Sequence, residues 1–143
     1  MPPFFVMDKW VIYTDGSYRP SKKKMGIGIV WLKNDEKVFE YSRGIPGGTN
    51  SVAELTAIGI ALKSIVEPLD SLTLVSDSEY AIGCIFNEKW NPVKNVELIN
   101  AIKKEAKRVE KLVHIDVMHT YGHANDKWNN YVDSLAQKES SYD

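Results

Sequence analysis

The stretch SVAELTAIGIALKSIVEPLDSLTLVSD, residues 51–77, places a helix and a strand in succession, and how they join what precedes them decides the fold. Apolar residues fall at Val52, Leu55, Ile58, Leu62, Ile65 and Val66, the spacing of one helical face. Asn50 or Ser51 is the expected cap, and Pro68 closes the helix. SLTLVS, residues 71–76, is too short for a helix and apolar enough for a buried strand. A strand before this helix and a strand after it need a crossover connection, which makes them parallel neighbours in one sheet.

Upstream, KWVIYT (9–14) is β-branched and aromatic, and is expected to stop at the turn-forming group Asp15-Gly16-Ser17. MGIGIVWL (25–32) and KVFEYSRG (37–44) follow with only short breaks, which predicts a three-stranded antiparallel meander. Downstream, DSEYAIGCIFNE (77–88) restarts a helix with Tyr80, Ile82, Ile85 and Phe86 on it. After the break KWNPVKN comes a helix over 96–112, with Val96, Ile99, Ile102, Ala106 and Val109 inward. VHIDVMHT (113–120) alternates as a last strand, and a final helix begins near Trp128 with the stripe Trp128, Tyr131, Val132, Leu135 and Ala136. The order β-β-β-α-β-α-α-β-α predicts an α/β fold: a mixed five-stranded sheet, three antiparallel strands then parallel ones, flanked by about four helices.

A chain of 143 residues suits one domain over 1–143, with flexible ends expected at 1–8 and 138–143. The net charge of -1 argues against a general polyanion binder, so any nucleic-acid role must be local. The lone Cys84 excludes an intramolecular disulfide and a thiolate metal cluster; a packed thiol in a reducing, cytoplasmic setting is the expectation. No apolar run approaches the roughly 20 residues that cross a bilayer. No apolar stripe is left over for an interface, so a monomer is expected.

Four carboxylates stand apart from the acids of solvated helix faces: Asp15 after strand one, Glu54 in an apolar helix, Asp77 after the buried strand and Asp133 beside the last helix's stripe. Each alone has a plain structural reading. Asp15 suits a turn, Asp77 a cap, Glu54 a helix first turn, and Asp133 a salt bridge with a lysine. Together they suggest more, because Asp15 and Asp77 leave neighbouring parallel strands at their carboxyl ends, where open α/β sheets hold ligands. Clustered carboxylates repel unless a cation neutralises them, and Mg²⁺ or Mn²⁺ is the oxygen-seeking choice. Two such ions about 3.5 to 4 Å apart can clamp a phosphodiester displacement.

TDGS with Asp15, GGTNSVAEL with Glu54, SDSEY with Asp77, and GHAND followed by NNYVDSLA with Asp133 appear in the order and with separations similar to ribonuclease H type 1, which the chain resembles from about Trp10 to Gln137. The resemblance implies a ribonuclease H-like sheet and hydrolysis of the RNA strand of RNA/DNA hybrids, leaving 5′-phosphate and 3′-hydroxyl ends. It implies that Asp15, Glu54, Asp77 and Asp133 bind two Mg²⁺ ions, one activating a water and the other stabilising the leaving 3′ oxygen, with Asp15 shared between them. His123 lies in a Gly-flanked loop, where a histidine is commonly a surface or capping residue; the resemblance gives it a part in proton transfer or product release. His114 and His119, in or near a strand, read as structural.

GGTN ahead of the first helix is either a capping turn or an anion and 2′-hydroxyl site. In the family, positions matching Thr49 and Asn95 hold a DNA phosphate, and those matching Asn50 and Glu79 lie near the hybrid's minor groove. Tyr80 and Trp90 would pack beneath the DNA strand, core packing being the alternative for Tyr80, and Gly16 and Ser17 join the substrate-facing set through the TDGS motif. Recognition would read hybrid shape and 2′-hydroxyls rather than base sequence. The chain departs from the better-known bacterial members in lacking their Lys- and Trp-rich insertion: FNEKWNPVKN holds only Lys89 and Lys94. Affinity for hybrid is then modest, or comes from Lys22, Lys23 and Lys24 or a partner domain. Asn130 stands where the family often has glutamate, a change of tuning. Two other readings stay open, another nuclease or strand-transfer enzyme on the same fold and a non-catalytic binding module. The Gly122-His123 loop and the fourth acid speak against the first, the intact acid set against the second.

Overall fold

A computed structural model describes residues 7–122 and 125–142. The chain forms β1 (Trp10–Arg19), β2 (Lys24–Lys33), β3 (Glu36–Pro46), α1 (Asn50–Lys63), β4 (Leu72–Ser76), α2 (Glu79–Phe86), α3 (Val96–Glu110), β5 (Ile115–His119) and α4 (Lys127–Ser141). The strands make one mixed sheet in the order β3-β2-β1-β4-β5. β2 is antiparallel to β1 and β3, whereas β4 is parallel to β1 and β5. The meander and the crossover are therefore as the sequence pattern predicts. Between β2 and β3, Asn34 and Asp35 both take positive φ, 52° and 69°, the backbone of a tight two-residue hairpin.

Alternation along the strands divides the core into two layers. On one face Ile12, Ile27 and Ile29 pack against Leu55, Ile58 and Leu62 of α1 and Ile99, Ile102 and Val109 of α3. On the other, Val11, Val30 and Val75 meet Val132 of α4, edged by Trp128, Tyr131 and Leu135. Each such fully buried side chain contributes about 1.5–3 kcal/mol of transfer free energy, so the inward helical faces outweigh local propensity at the element ends.

Several boundaries differ from those expected. β1 does not stop at Thr14: Asp15, Gly16 and Ser17 stay in the ladder opposite Gly28, Ile27 and Gly26. Gly16 answers a close approach rather than a turn, since a Cβ there would run into the Ala53 carbonyl and lie 2.5 Å from the Glu54 nitrogen of α1. The cap of α1 is Thr49, whose hydroxyl accepts from Val52 N at 3.1 Å, not Asn50 or Ser51. α1 ends at Lys63, short of Pro68, leaving Val66 73% exposed. α2 buries Ala81, Cys84 and Ile85, while Tyr80, Ile82 and Phe86 are only half-buried. Near the expected flexible ends, Asp8 N donates to Asp70 and α4 continues to Ser141 with Ser140 buried.

Candidate active site

Each of the four carboxylates loses its plain structural reading once placed. Asp15 is within a strand and 4% exposed, so it serves no turn. Glu54 lies beyond the first turn of α1, which holds no acid. The cap of α2 is Ser78, accepting from Ala81 N, which leaves the Asp77 side chain uncommitted to capping. Asp133 is exposed and pairs with no lysine among the described residues; it lines the same cleft as Asp15 instead.

The parallel pairing brings them together. β1 and β4 are in register through Thr14 and Ser76, so Asp15 and Asp77 are the next residues on adjacent strands. α1 crosses β1 at Gly16, whose backbone N–H donates to Glu54 Oε1 at 2.6 Å and to Asp15 Oδ1 at 2.9 Å. Oxygens of Asp15, Glu54 and Asp77 all lie within 4.8 Å of one another. A cleft of about 340 Å³ collects these three with Asp133, and Gly16, Ser17 and Asn50 also line it. Its remaining lining, Ser78 and Gln137, escaped the sequence reading; Gln137 is one helical turn beyond Asp133, a spacing that could have flagged it.

The cluster is electrostatically unbalanced as it stands. Burial first, then Glu54 and the charges around it, push the Asp15 carboxyl up to about 11. Burial likewise drives Glu54 up, to about 7, against the lowering effect of its hydrogen bond with Asp15 and with Asp77 adding to the rise. Glu54 Oε2 is buried without a partner among the described residues. An all-oxygen set of closely spaced carboxylates with an orphaned buried oxygen is the donor chemistry of a hard divalent cation, so the residues fit Mg²⁺ or Mn²⁺.

Asp133 reaches this cluster because α4 lies almost in contact with the backbone of β2. A Cβ at Gly28 would strike the Val132 carbonyl and come within 2.9 Å of Leu135 Cβ; one at Gly26 would strike the Ala136 carbonyl and lie 2.6 Å from Ser140 N. The alternation in MGIGIV thus places two glycines on the face that α4 covers. Ser17 fastens the same helix, donating to the Ala136 carbonyl at 3.1 Å and contacting Ser140 at 3.0 Å. Its hydroxyl is engaged in docking α4 rather than free in the cleft. On the opposite side, His119 Nε2 hydrogen-bonds the Asp77 carbonyl at 3.1 Å, steadying the end of β4.

The remaining expected residues gather elsewhere. Tyr80, Cys84, Trp90 and Lys94 border a second cleft of about 350 Å³, with the Trp90 ring against α2 where Gly83 leaves room for it. Asn95 takes φ of 58°, makes no side-chain cap for α3, and its Nδ2 lies 3.4 Å from the Tyr80 hydroxyl. Glu79 opens α2 on the surface, and Thr49 is occupied as the cap one residue before Asn50. His114 is exposed beside Glu110 and Asp116. His123 lies outside the described residues.

A mixed sheet brings acidic residues from β1, α1, the segment just after β4 and α4 to one cleft. The RNase H family model matches residues 7–141, and the chain belongs to that family. A Ribonuclease H of Clostridium botulinum is 32% identical over 148 residues, covering 92% of this chain and 95% of that protein. A Ribonuclease HI of Vibrio parahaemolyticus is 34% identical over 139 residues, covering 88% and 86%. Among solved structures, Prototype Foamy Virus Protease-Reverse Transcriptase superposes with a TM-score of 0.74 at 23% identity. That match covers 95% of this chain and 21% of the longer one, and shows the fold alone. No helix among the described residues is long and apolar enough to cross a membrane.

Proposed function

We propose that this chain is an endoribonuclease that hydrolyses the RNA strand of RNA/DNA hybrids with Mg²⁺, or Mn²⁺, as cofactor. The observation that carries the reading is the convergence of Asp15, Glu54, Asp77 and Asp133 on one cleft. Family membership and relatives named Ribonuclease H support the choice of substrate.

Asp15, Glu54 and Asp77 would hold one cation, and Asp15 with Asp133 a second. Bound there, such ions supply positive charge for the attacking water and the departing 3′ oxygen. The chain's own residues do the rest. Gly16 N–H orients the Asp15 and Glu54 carboxylates through the two hydrogen bonds described above. Asn50, on the cleft wall, offers an amide to a ribose hydroxyl. Tyr80 and Trp90 form an apolar platform for the opposite strand, with Asn95 and Thr49 toward its phosphates. His123 carries a proton to or from the reacting oxygens. Water adds to phosphorus as the bond to the 3′ oxygen breaks, giving a 5′-phosphate and a 3′-hydroxyl. The chain acts as a monomer.

Incubating the protein with labelled RNA/DNA, RNA/RNA and DNA/DNA duplexes and Mg²⁺ tests the reading. Internal cuts in the RNA of the hybrid alone, with 3′ ends that a polymerase extends, are expected. Cleavage of DNA/DNA, or strand joining, would point to another enzyme on this fold; no reaction on any duplex would point to a binding module.

A further inference from the structure

Cationic residues are distributed unevenly. Residues 16–34 carry Arg19, Lys22, Lys23, Lys24 and Lys33 with no acid, in a chain whose net charge is -1. Four of those five sit at one end of the sheet, on the hairpin that joins β1 to β2. β3 brings Arg43 toward the same end, where its ladder with β2 closes as Lys24 pairs with Pro46.

This hairpin is joined to the cleft by continuous structure. β4 stops pairing at Ser76, so from Asp15 to Arg19 β1 has β2 on one side and no strand on the other. That edge starts as the floor of the acidic cleft, at Asp15, Gly16 and Ser17. It ends at the turn carrying Lys22 and Lys23, both exposed. Gly47 N–H donates to the Lys23 carbonyl at 2.7 Å, tying the turn to the segment that leads through Thr49 into Asn50 on the cleft wall. The Lys24 ammonium donates to the Tyr142 carbonyl at 3.0 Å and so anchors the end of α4.

We propose that the β1–β2 hairpin, through Lys22 and Lys23, is a second contact for the phosphate backbone of the duplex, one that grips it to one side of the cleavage point. This rests on the reading of the cleft as the place where the hybrid is cut. At about 3.3 Å per strand residue, Arg19 is roughly 13 Å from Asp15 and the lysines a few ångströms further. At about 3.4 Å of duplex rise per base pair, that corresponds to four to six base pairs from the scissile phosphate. The hairpin supplies at long range the positive charge that the acidic cleft itself lacks. The duplex flank on that side then needs a minimum length for full affinity.

The test pairs Lys22→Gln with Lys23→Asn; asparagine tolerates the φ of 49° at position 23. KM and kcat are measured on hybrids shortened one base pair at a time from either end, and binding of uncut hybrid is read by anisotropy in an Asp77→Asn background. The slope of log affinity against log salt is expected to fall by about two, near 0.9 per lost phosphate contact. KM on long hybrids should rise on the order of tenfold at low salt with kcat unchanged. Shortening one flank below about five base pairs should weaken the unmodified protein and leave the double variant indifferent. An unchanged salt slope, or an equal loss on short and long flanks, overturns the proposal. If the protein binds hybrid but never cuts it, the reading of the cleft fails while the salt slope still decides for or against the hairpin.

Discussion

The acid cluster should make the metal-free protein less stable as pH rises, and Asp15→Asn should remove that weakness. With its pKa pushed up to about 11, Asp15 keeps its proton in the folded protein at pH 7, whereas the unfolded chain, at the ordinary 3.8, has released it. The folded state then binds one more proton than the unfolded, so stability contributed below pH 3.8 is lost progressively as pH climbs toward the folded value. Over about 3 pH units, from 4 to 7, one such proton corresponds to roughly 4 kcal/mol, at about 1.4 kcal/mol per unit. For a domain of this size that is a fall of about 12 °C in Tm. Glu54, raised to about 7, adds its own loss between its ordinary value of 4.5 and that point. An asparagine at 15 is neutral throughout, so its Tm advantage over the unmodified protein should be small at pH 4 and widen toward pH 7. The assay is thermal unfolding in chelator across pH 4–8, repeated with Mg²⁺. Cation should raise the Tm of the unmodified protein by binding the folded state and leave the variant nearly unmoved. Parallel Tm curves for the two proteins, or a variant less stable at pH 7 in chelator, would refute the idea that Asp15 is held in a repulsive, desolvated cluster.

Three substitutions have defined expected outcomes. Gly28→Ala should force α4 outward by about 1 Å, costing roughly 1–3 kcal/mol in a urea melt and on the order of 100-fold in kcat as Asp133 withdraws from Asp15; near-normal values for both would show that α4 does not set the site. Asp77→Asn should abolish cleavage in a gel assay while the fold, read by circular dichroism, stays intact, because Ser78 rather than Asp77 caps α2; a grossly unfolded variant would return Asp77 to a structural role. His123→Ala should slow single-turnover cleavage by about 10²-fold or more without stopping it; an unchanged rate removes His123 from the mechanism.

Much of the site was legible because each acid stood out locally: Glu54 lies in an otherwise apolar helix, Asp133 beside the apolar stripe of the last one, and Asp15 and Asp77 toward the ends of strands that the crossover makes neighbours. What the pattern misread is as informative. Asp15-Gly16-Ser17 has turn composition, yet the ladder with β2 carries β1 through it, because Gly16 is demanded by contact with α1 rather than by a bend. Thr49 rather than Asn50 or Ser51 caps α1, a choice among three adjacent hydroxyl and amide side chains that local sequence leaves nearly equal. Ser140 was expected in a loose tail; it is buried because the glycines of β2 let α4 lie flat along the sheet.

Residue order alone determined the element types and the mixed sheet and set four acids apart from the rest, since hydrophobic period and crossover topology are properties of the chain read locally. Only the tertiary structure decided that the four acids share one cleft, with oxygens of Asp15, Glu54 and Asp77 within 4.8 Å of one another, that burial pushes the Asp15 and Glu54 carboxyls far above their ordinary range, and that α4 brings Asp133 to the cleft. Those are consequences of distance and desolvation between segments remote in sequence. No spacing of residues along the chain encodes them until the glycines at 16, 26 and 28 allow the helices to close on the sheet.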